Sequence, residues 1–445
     1  MEPLKQSRKK RKLNSSNGKK LIVTLNSKTN KNNSSLGIPR GFRDILPVEA
    51  RLRERITNRV QTVFDLWGYE PVETPTLEFV RTLQGERDLE SASFRLLDTD
   101  GDLLCLRPDV TIPLARLVAM RLTPLAEPLR LRYRQTVFRE EAALRAESRA
   151  FTQIGIEYIG ESGILADAEI LLLLGEALKV SGLEGFTIAF CDVSALRALL
   201  QACQENGGGT ADWTEQVLLA CHRSDFVEVD RLSRTPGLDS AYGQALRLFV
   251  NLNGGWEAAL ELRQLLSPLV APENLSMLDS LEKTAWLAEN CGPAGVYRID
   301  FSVMSAFSYY TGLICAAYAP GIGTPLARGG RYDTTLANFG AAAPAAGFAL
   351  NLERVVTQVM AAATPTPQEP TALTGAAAPA APADPINPTT RPDPLSGITT
   401  LIADLSGAAA VEVIETDANE ADLALRRASQ LRAQGQRVII REVRR

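Results

Sequence analysis

The sequence predicts an α+β fold, and three patterns carry that expectation. Residues 47–67 set Leu52, Ile56, Val60, Phe64 and Trp67 at helical spacing, an amphipathic helix. Residues 129–139 alternate instead, with Leu129, Leu131 and Tyr133 against Arg130, Arg132 and Arg134, which marks a strand with one charged face. Residues 151–158 return as its partner, so this part of the sheet is an antiparallel hairpin.

In chain order, Gly68 stops the first helix, and residues 69–75 read as a short strand with Val72 inside and Pro75 at its end. A strand at 103–106 leads into Arg107-Pro108-Asp109-Val110-Thr111 and a helix through Met120. The charged connection at 140–149 is long, and long loops are often functional. Residues 163–290 are mainly helical in pattern, with helices near 165–180, 194–205, 241–250, 256–266 and 277–290. Strands return at 296–302, 312–319 and 325–328, and a last helix of this part is expected over about 347–360. Residues 361–397 hold nine of the chain's 25 prolines amid Ala and Thr, the composition of a linker. Beyond it, 411–414, a helix opened by Asp417 and Asn419 and closed at Gly435, and 438–440 form one β-α-β unit. The resulting division is a tail at 1–36, a core at 37–184, a mainly helical insertion at 185–295, a second core part at 296–360, the linker at 361–397 and a small α/β unit at 398–445.

Composition narrows the function classes. At 445 residues, 45 % apolar and 22 % charged, the chain suits two or three globular domains. Residues 1–36 hold ten Lys or Arg against Glu2 alone; with a total of -4, the rest of the chain stands at -13. A body this acidic is a poor generic nucleic-acid surface. The tail reads as a solvated, disordered extension without the apolar core of a secretory signal. Cys105, Cys191, Cys203, Cys221, Cys291 and Cys315 include no C-x-x-C pair, and His222 is the one histidine, so no metal, cofactor or His-based catalysis is expected. The apolar run at 170–175 is far too short to span a bilayer, and a cytoplasmic location is expected.

Three arginines stand in informative contexts: Phe138-Arg139-Glu140-Glu141 at a strand end, Gly329-Gly330-Arg331-Tyr332-Asp333, and Gly347-Phe348-Ala349-Leu350-Asn351-Leu352-Glu353-Arg354. Guanidinium suits carboxylate and phosphate recognition, although each one alone reads as a surface ion pair. In this order they resemble motifs 2 and 3 of the class II aminoacyl-tRNA synthetases, and Glu73-Thr74-Pro75 resembles motif 1. Tyr309-Tyr310, the G-G-R-Y-D stretch, Gln153-Ile154-Gly155-Ile156-Glu157 and the R-G-F-R-D-I-L-P run ending at Pro47 narrow the resemblance to the histidyl branch. It covers roughly 37–160 and 296–360.

The resemblance implies an antiparallel sheet flanked by helices and a histidine pocket. In it, Asp109, followed by Thr111, would hold the amino group, and Arg139 a carboxylate or phosphate. Gln153 and Glu157 would line the pocket, Glu157 reading an imidazole N–H, and Tyr309 and Tyr310 would frame the ring. Pro75, Arg331 and Arg354 would be vestiges of the synthetase motifs. The family's arginine four residues before the double tyrosine is Ser305 here, and serine cannot replace a fixed charge on a phosphoryl transition state. The motif 2 loop at 141–148 also departs, and residues 361–445 stand where an anticodon-binding domain is expected. A pocket kept while activation and RNA reading decay resembles a paralogous family, the regulatory subunits of ATP phosphoribosyltransferase. That implies a non-catalytic homodimer, assembled with a short catalytic subunit that performs the first step of histidine biosynthesis, with L-histidine as effector and no tRNA or membrane partner. A divergent histidyl-tRNA synthetase is the alternative.

Overall fold

In the computed structural model the described residues are 37–83, 87–140, 148–304, 309–363, 411–417 and 420–443. The expected tail at 1–36, most of the motif 2 loop, Ser305, nearly all of the linker and Asn419 lie outside them. Residues 37–40 are exposed, and Gly41–Arg445 form one unit.

Helix α1 (Pro47–Leu66) starts with proline at its first turn, where no N–H is needed, and buries Ile56, Val60 and Phe64 one turn apart. Gly68, at φ +83°, ends it in a left-handed turn that a side chain would resist. The strands β1 (Glu70–Pro71), β2 (Leu77–Phe79), β3 (Arg95–Leu97) and β4 (Leu103–Leu106) follow, with α2 (Arg87–Ser91) between β2 and β3. Helix α3 (Thr111–Arg121) leads to the hairpin β5 (Leu129–Phe138) and β6 (Ala150–Ile159), then to α4 (Ile164–Val180). Next come β7 (Thr187–Asp192), α5 (Val193–Asn206), α6 (Ala211–His222), α7 (Phe226–Leu232), α8 (Ser240–Asn251), β8 (Asn253–Gly254), α9 (Ala258–Leu266) and α10 (Ser276–Cys291). The chain returns through β9 (Tyr297–Asp300), β10 (Leu313–Tyr318), β11 (Ala327–Arg331), β12 (Ala345–Asn351) and α11 (Leu352–Ala363). Strand β13 (Glu412–Thr416), α12 (Ala421–Ala433) and β14 (Val438–Glu442) make the β-α-β unit, whose strands pair in parallel.

Nine strands form the main sheet in the order β1-β5-β6-β12-β11-β10-β7-β9-β8; it is antiparallel from β5 through β7, and β1 and β9 pair in parallel with β5 and β7. A separate sheet runs β2-β4-β3. On one face of the main sheet Phe64 of α1 packs edge-on against Phe348 of β12, and Arg132 and Arg130 of β5 reach Asp65 of α1 and Glu169 of α4. Two cations of the charged stripe of β5, Arg130 and Arg132, are therefore paired with acids on the covering helices, while Arg134 is exposed. The register sends the other parity to the opposite face: Leu131, Glu157, Gly347, Gly330 and Ile314 form one row across β5, β6, β12, β11 and β10.

Four expectations need correction. Residues 345–351, expected to open a helix near 347, are strand β12 in the middle of the sheet, and the helix begins only at Leu352. The Asn351 side chain accepts from Arg354 N at 3.1 Å and marks that start. The region expected to be mainly helical contributes β7 to the sheet, because a short apolar run reads alike as strand or buried helix. It also holds α6 and α7, which the pattern did not reveal. The strand expected at 69–75 is two residues long, and Pro75 lies exposed beyond it. The strand expected at 325–328 is displaced to Ala327–Arg331.

Candidate functional site

The turn between β4 and α3 is set by Arg107, which is buried and donates to the carbonyls of Thr74 at 2.7 Å and Thr136 at 2.8 Å. Asp109 follows, also buried. Its Oδ1 accepts from the backbone N–H of Thr111 at 2.7 Å and of Ile112 at 3.4 Å, so it caps the first turn of α3. Its Oδ2 lies 3.9 Å from Arg139 Nη2, a loose pair. Arg139, at the end of β5, also donates to Pro108 O at 2.9 Å.

Glu157 sits on the floor, 1 % exposed. Thr111 Oγ1 donates to it at 2.8 Å, Tyr133 OH at 3.3 Å, and Tyr332 OH at still closer range. Burial pushes this carboxyl up to about 8, and the hydroxyls of Tyr332 and Thr111 only partly oppose the shift. A side chain at Gly347 would overlap the Glu157 carboxylate, and one at Gly330 would meet the Tyr310 ring at 2.7 Å. The two glycines of the row thus make the space that the acid and the tyrosine fill.

Tyr309 and Tyr310 form one wall, their ring centroids 4.7 Å apart, and Tyr332 stands edge-on to Tyr309 at 6.0 Å. Gln153 is 7 % exposed, and its Oε1 is buried with no hydrogen-bond partner among the described residues. A buried amide oxygen in that condition suits a ligand N–H.

Direct contacts join Glu157 to Thr111 and Asp109 to Thr111 and Arg139, Tyr309 and Tyr310 stand on the same face beside Gly330, and Gln153 lies four residues from Glu157 on that face of β6. The other motif arginines are held by partners of their own, although Arg354 stays within electrostatic reach of Arg139. Arg331 is tied to Asp167 at 2.7 Å and Asp333 at 3.1 Å, and Arg354 donates to Pro325 O at 2.5 Å. Sequence reasoning did not name Tyr133, Tyr332, Gly330 or Gly347 as site residues. Tyr332 and Gly330 stood in the G-G-R-Y-D stretch, and the alternation of β5 carried Tyr133. Gly347 needed the register.

Chemically, the site offers two acids, an orphan amide oxygen, aromatic walls and the guanidinium groups of Arg139 and of Arg328 on β11, a set for binding rather than bond making. Among the described residues no group of His, Cys, Asp and Glu could hold a metal ion. The buried thiols are poor nucleophiles: burial pushes Cys105 up to about 11 and Cys315 to about 12.

The sequence profile of histidyl-tRNA synthetase matches residues 41–355. An ATP phosphoribosyltransferase regulatory subunit of Moorella thermoacetica is 36 % identical over 329 residues, 73 % of this chain and 82 % of that protein. The corresponding protein of Desulforamulus reducens is 34 % identical over 330 residues, 74 % and 80 % of the two chains. Among solved structures, an ATP phosphoribosyltransferase regulatory subunit/histidyl-tRNA synthetase from Bacillus halodurans superposes with a TM-score of 0.66 at 26 % identity, covering 92 % of this chain and 93 % of that one. A histidyl-tRNA synthetase from a Nostoc species, at TM-score 0.63 and 22 % identity, covering 92 % and 86 %, shares the fold. With the profile and these relatives spanning most of its length, the chain belongs to the histidyl-tRNA synthetase-like family, in the branch of the ATP phosphoribosyltransferase regulatory subunits.

Proposed function

We infer that this chain is the non-catalytic regulatory subunit on which a catalytic ATP phosphoribosyltransferase depends, serving the first step of L-histidine biosynthesis. The observation that carries the reading is the 36 % identity to a regulatory subunit over 82 % of that relative's length. We further propose that free L-histidine is the effector and that the site around Asp109 holds it. Asp109 suits the ammonium group, Arg139 the carboxylate, and Gln153 and Glu157 the ring N–H, between the Tyr309-Tyr310 wall and Tyr332. Each ligand group then meets a partner of opposite polarity, which a buried acid requires.

The same reading includes a homodimer formed through the 47–75 segment, a cytoplasmic location and no role for tRNA. Among the described residues no helix is long and apolar enough to cross a membrane. The test is co-purification with a short catalytic subunit, whose activity is assayed with and without histidine. Activity should need this chain and fall when histidine is added. A catalytic subunit equally active alone would overturn the regulatory role. Histidine-dependent pyrophosphate exchange by this chain would favour the synthetase alternative.

A further inference from the structure

Glu157 is the most enclosed acid of the site, and the partners that face it are neutral. Thr111 reaches it from α3, Tyr133 from β5, and Tyr332 from just beyond β11. Opposite it stand Leu131 on β5 and Gly347 on β12, which bring no charge. Of the ionisable groups nearby, Asp109 is a second acid, and Tyr309 is a phenol that its surroundings keep protonated. Of the cations on this face, Arg139 turns toward Asp109 and Pro108 O, and Arg328 stands on β11 two residues from Gly330, near Arg139 and Tyr310; neither touches Glu157. The three hydroxyl donors favour the ionised carboxylate, but full burial, the neighbouring Asp109 and the lack of any cation in contact oppose it, and a carboxyl so placed resists ionisation.

We propose that Glu157 holds a proton in the free chain and releases it to solvent when the ligand enters, so that binding at this site is proton-linked. The proposal deepens the histidine reading and rests on it. The ligand's ammonium would neutralise Asp109, the nearest charge opposing a second anion. Its ring N–H would give Glu157 a further donor, which favours the ionised form. The upward shift of the Glu157 carboxyl from burial agrees with this direction. Below the pH at which Glu157 ionises in the free chain, apparent affinity then tightens by up to about tenfold per pH unit, and above it the dependence levels off.

The test is calorimetric titration of the full chain with L-histidine at pH 7.5 in phosphate, Hepes and Tris, whose heats of ionisation differ. The measured enthalpy should follow the buffer, with a slope showing release of most of a proton per histidine. In Glu157→Gln that slope should vanish while weaker binding remains. Tyr332→Phe removes a hydroxyl that favours the ionised acid, so proton release should persist at pH 8.5, where the unsubstituted chain has largely lost it. This second variant keeps the test decisive if Glu157→Gln does not fold. Histidine binding with one heat in all buffers overturns the proton linkage and leaves the histidine reading standing. A slope unchanged in Glu157→Gln also overturns it, by assigning the proton to another group. Absence of both a binding heat and a histidine-induced rise in melting temperature overturns the histidine reading itself.

Discussion

Asp109 does two jobs that a single substitution separates. It caps α3 through two backbone N–H groups, and it carries the charge proposed to hold the ligand's ammonium. Asparagine caps helices about as well as aspartate but carries no charge. Asp109→Asn should therefore leave the melting temperature within a few degrees of the parent while weakening histidine binding at least tenfold, as loss of a charge-assisted bond of about 1.5–3 kcal/mol implies. Unchanged affinity in a titration would remove Asp109 from the site. That Asp109, Thr111 and Glu157 come close together was legible from local motifs, because each stands in a short recognisable stretch. The hydroxyl cage was not. Tyr133 and Tyr332 lie 199 positions apart in the chain, and only the sheet brings both to one carboxylate.

At the scale of the element, β12 is where local pattern misled most. Residues 345–350 are apolar with no strict alternation, and the helix that follows gave its own character to the whole stretch. The strand exists because β6 and β11 flank it and satisfy its backbone groups on both sides. Its Gly347 is fixed by a close approach: a Cβ there would collide with both the Glu157 carboxylate and the backbone oxygen of Ile156. Gly347→Ala should cost about 1–3 kcal/mol through overpacking and should also weaken ligand binding, because Glu157 must move. Denaturant unfolding beside a binding titration reads both effects. A variant that unfolds like the parent and binds like it would show that the strand has room to spare.

The β-α-β unit is fastened to the rest of the molecule by arginines. The Arg130 Nη2 atom donates to Tyr158 OH, to Glu169 and to the Ile440 carbonyl of β14, while Arg432 stacks 3.4 Å over Trp67 and donates to Val438 O. Burial opposes the Arg130 charge, but Glu169 outweighs it and raises the pKa. Glu169→Gln leaves that cation without its counter-ion and should cost about 3–5 kcal/mol. Limited proteolysis should then release the 412–442 segment sooner; a loss below about 1 kcal/mol, with an unchanged cleavage pattern, would contradict this fastening. A second whole-molecule property follows from the raised acids. Burial pushes Glu157 up to about 8 and Asp167 to about 6, the latter despite Arg331. Both are raised above their unfolded values, so the folded chain binds more protons. Their contribution to stability is full below about pH 4 and is lost as pH rises through 6 and then 8. The melting temperature should fall between pH 6 and 8.5, and Glu157→Gln should flatten the upper part of that slope. A profile identical in parent and variant would mean that Glu157 ionises normally.

The sequence by itself determined the fold class, the long amphipathic helix, the β5–β6 hairpin and the short stretches that carry Asp109, Thr111, Arg139 and Glu157, which the contacts join. These depend on periodicity and short motifs, which act over a few residues. The tertiary structure decided the rest: that 345–351 and 187–192 are strands, that Arg130 and Arg132 of β5 pair with acids on helices, and that Glu157 is enclosed by three hydroxyls and backed by a glycine. Such features depend on register across five strands and on burial. No window of the chain contains that information, because the neighbours that set it are distant in sequence.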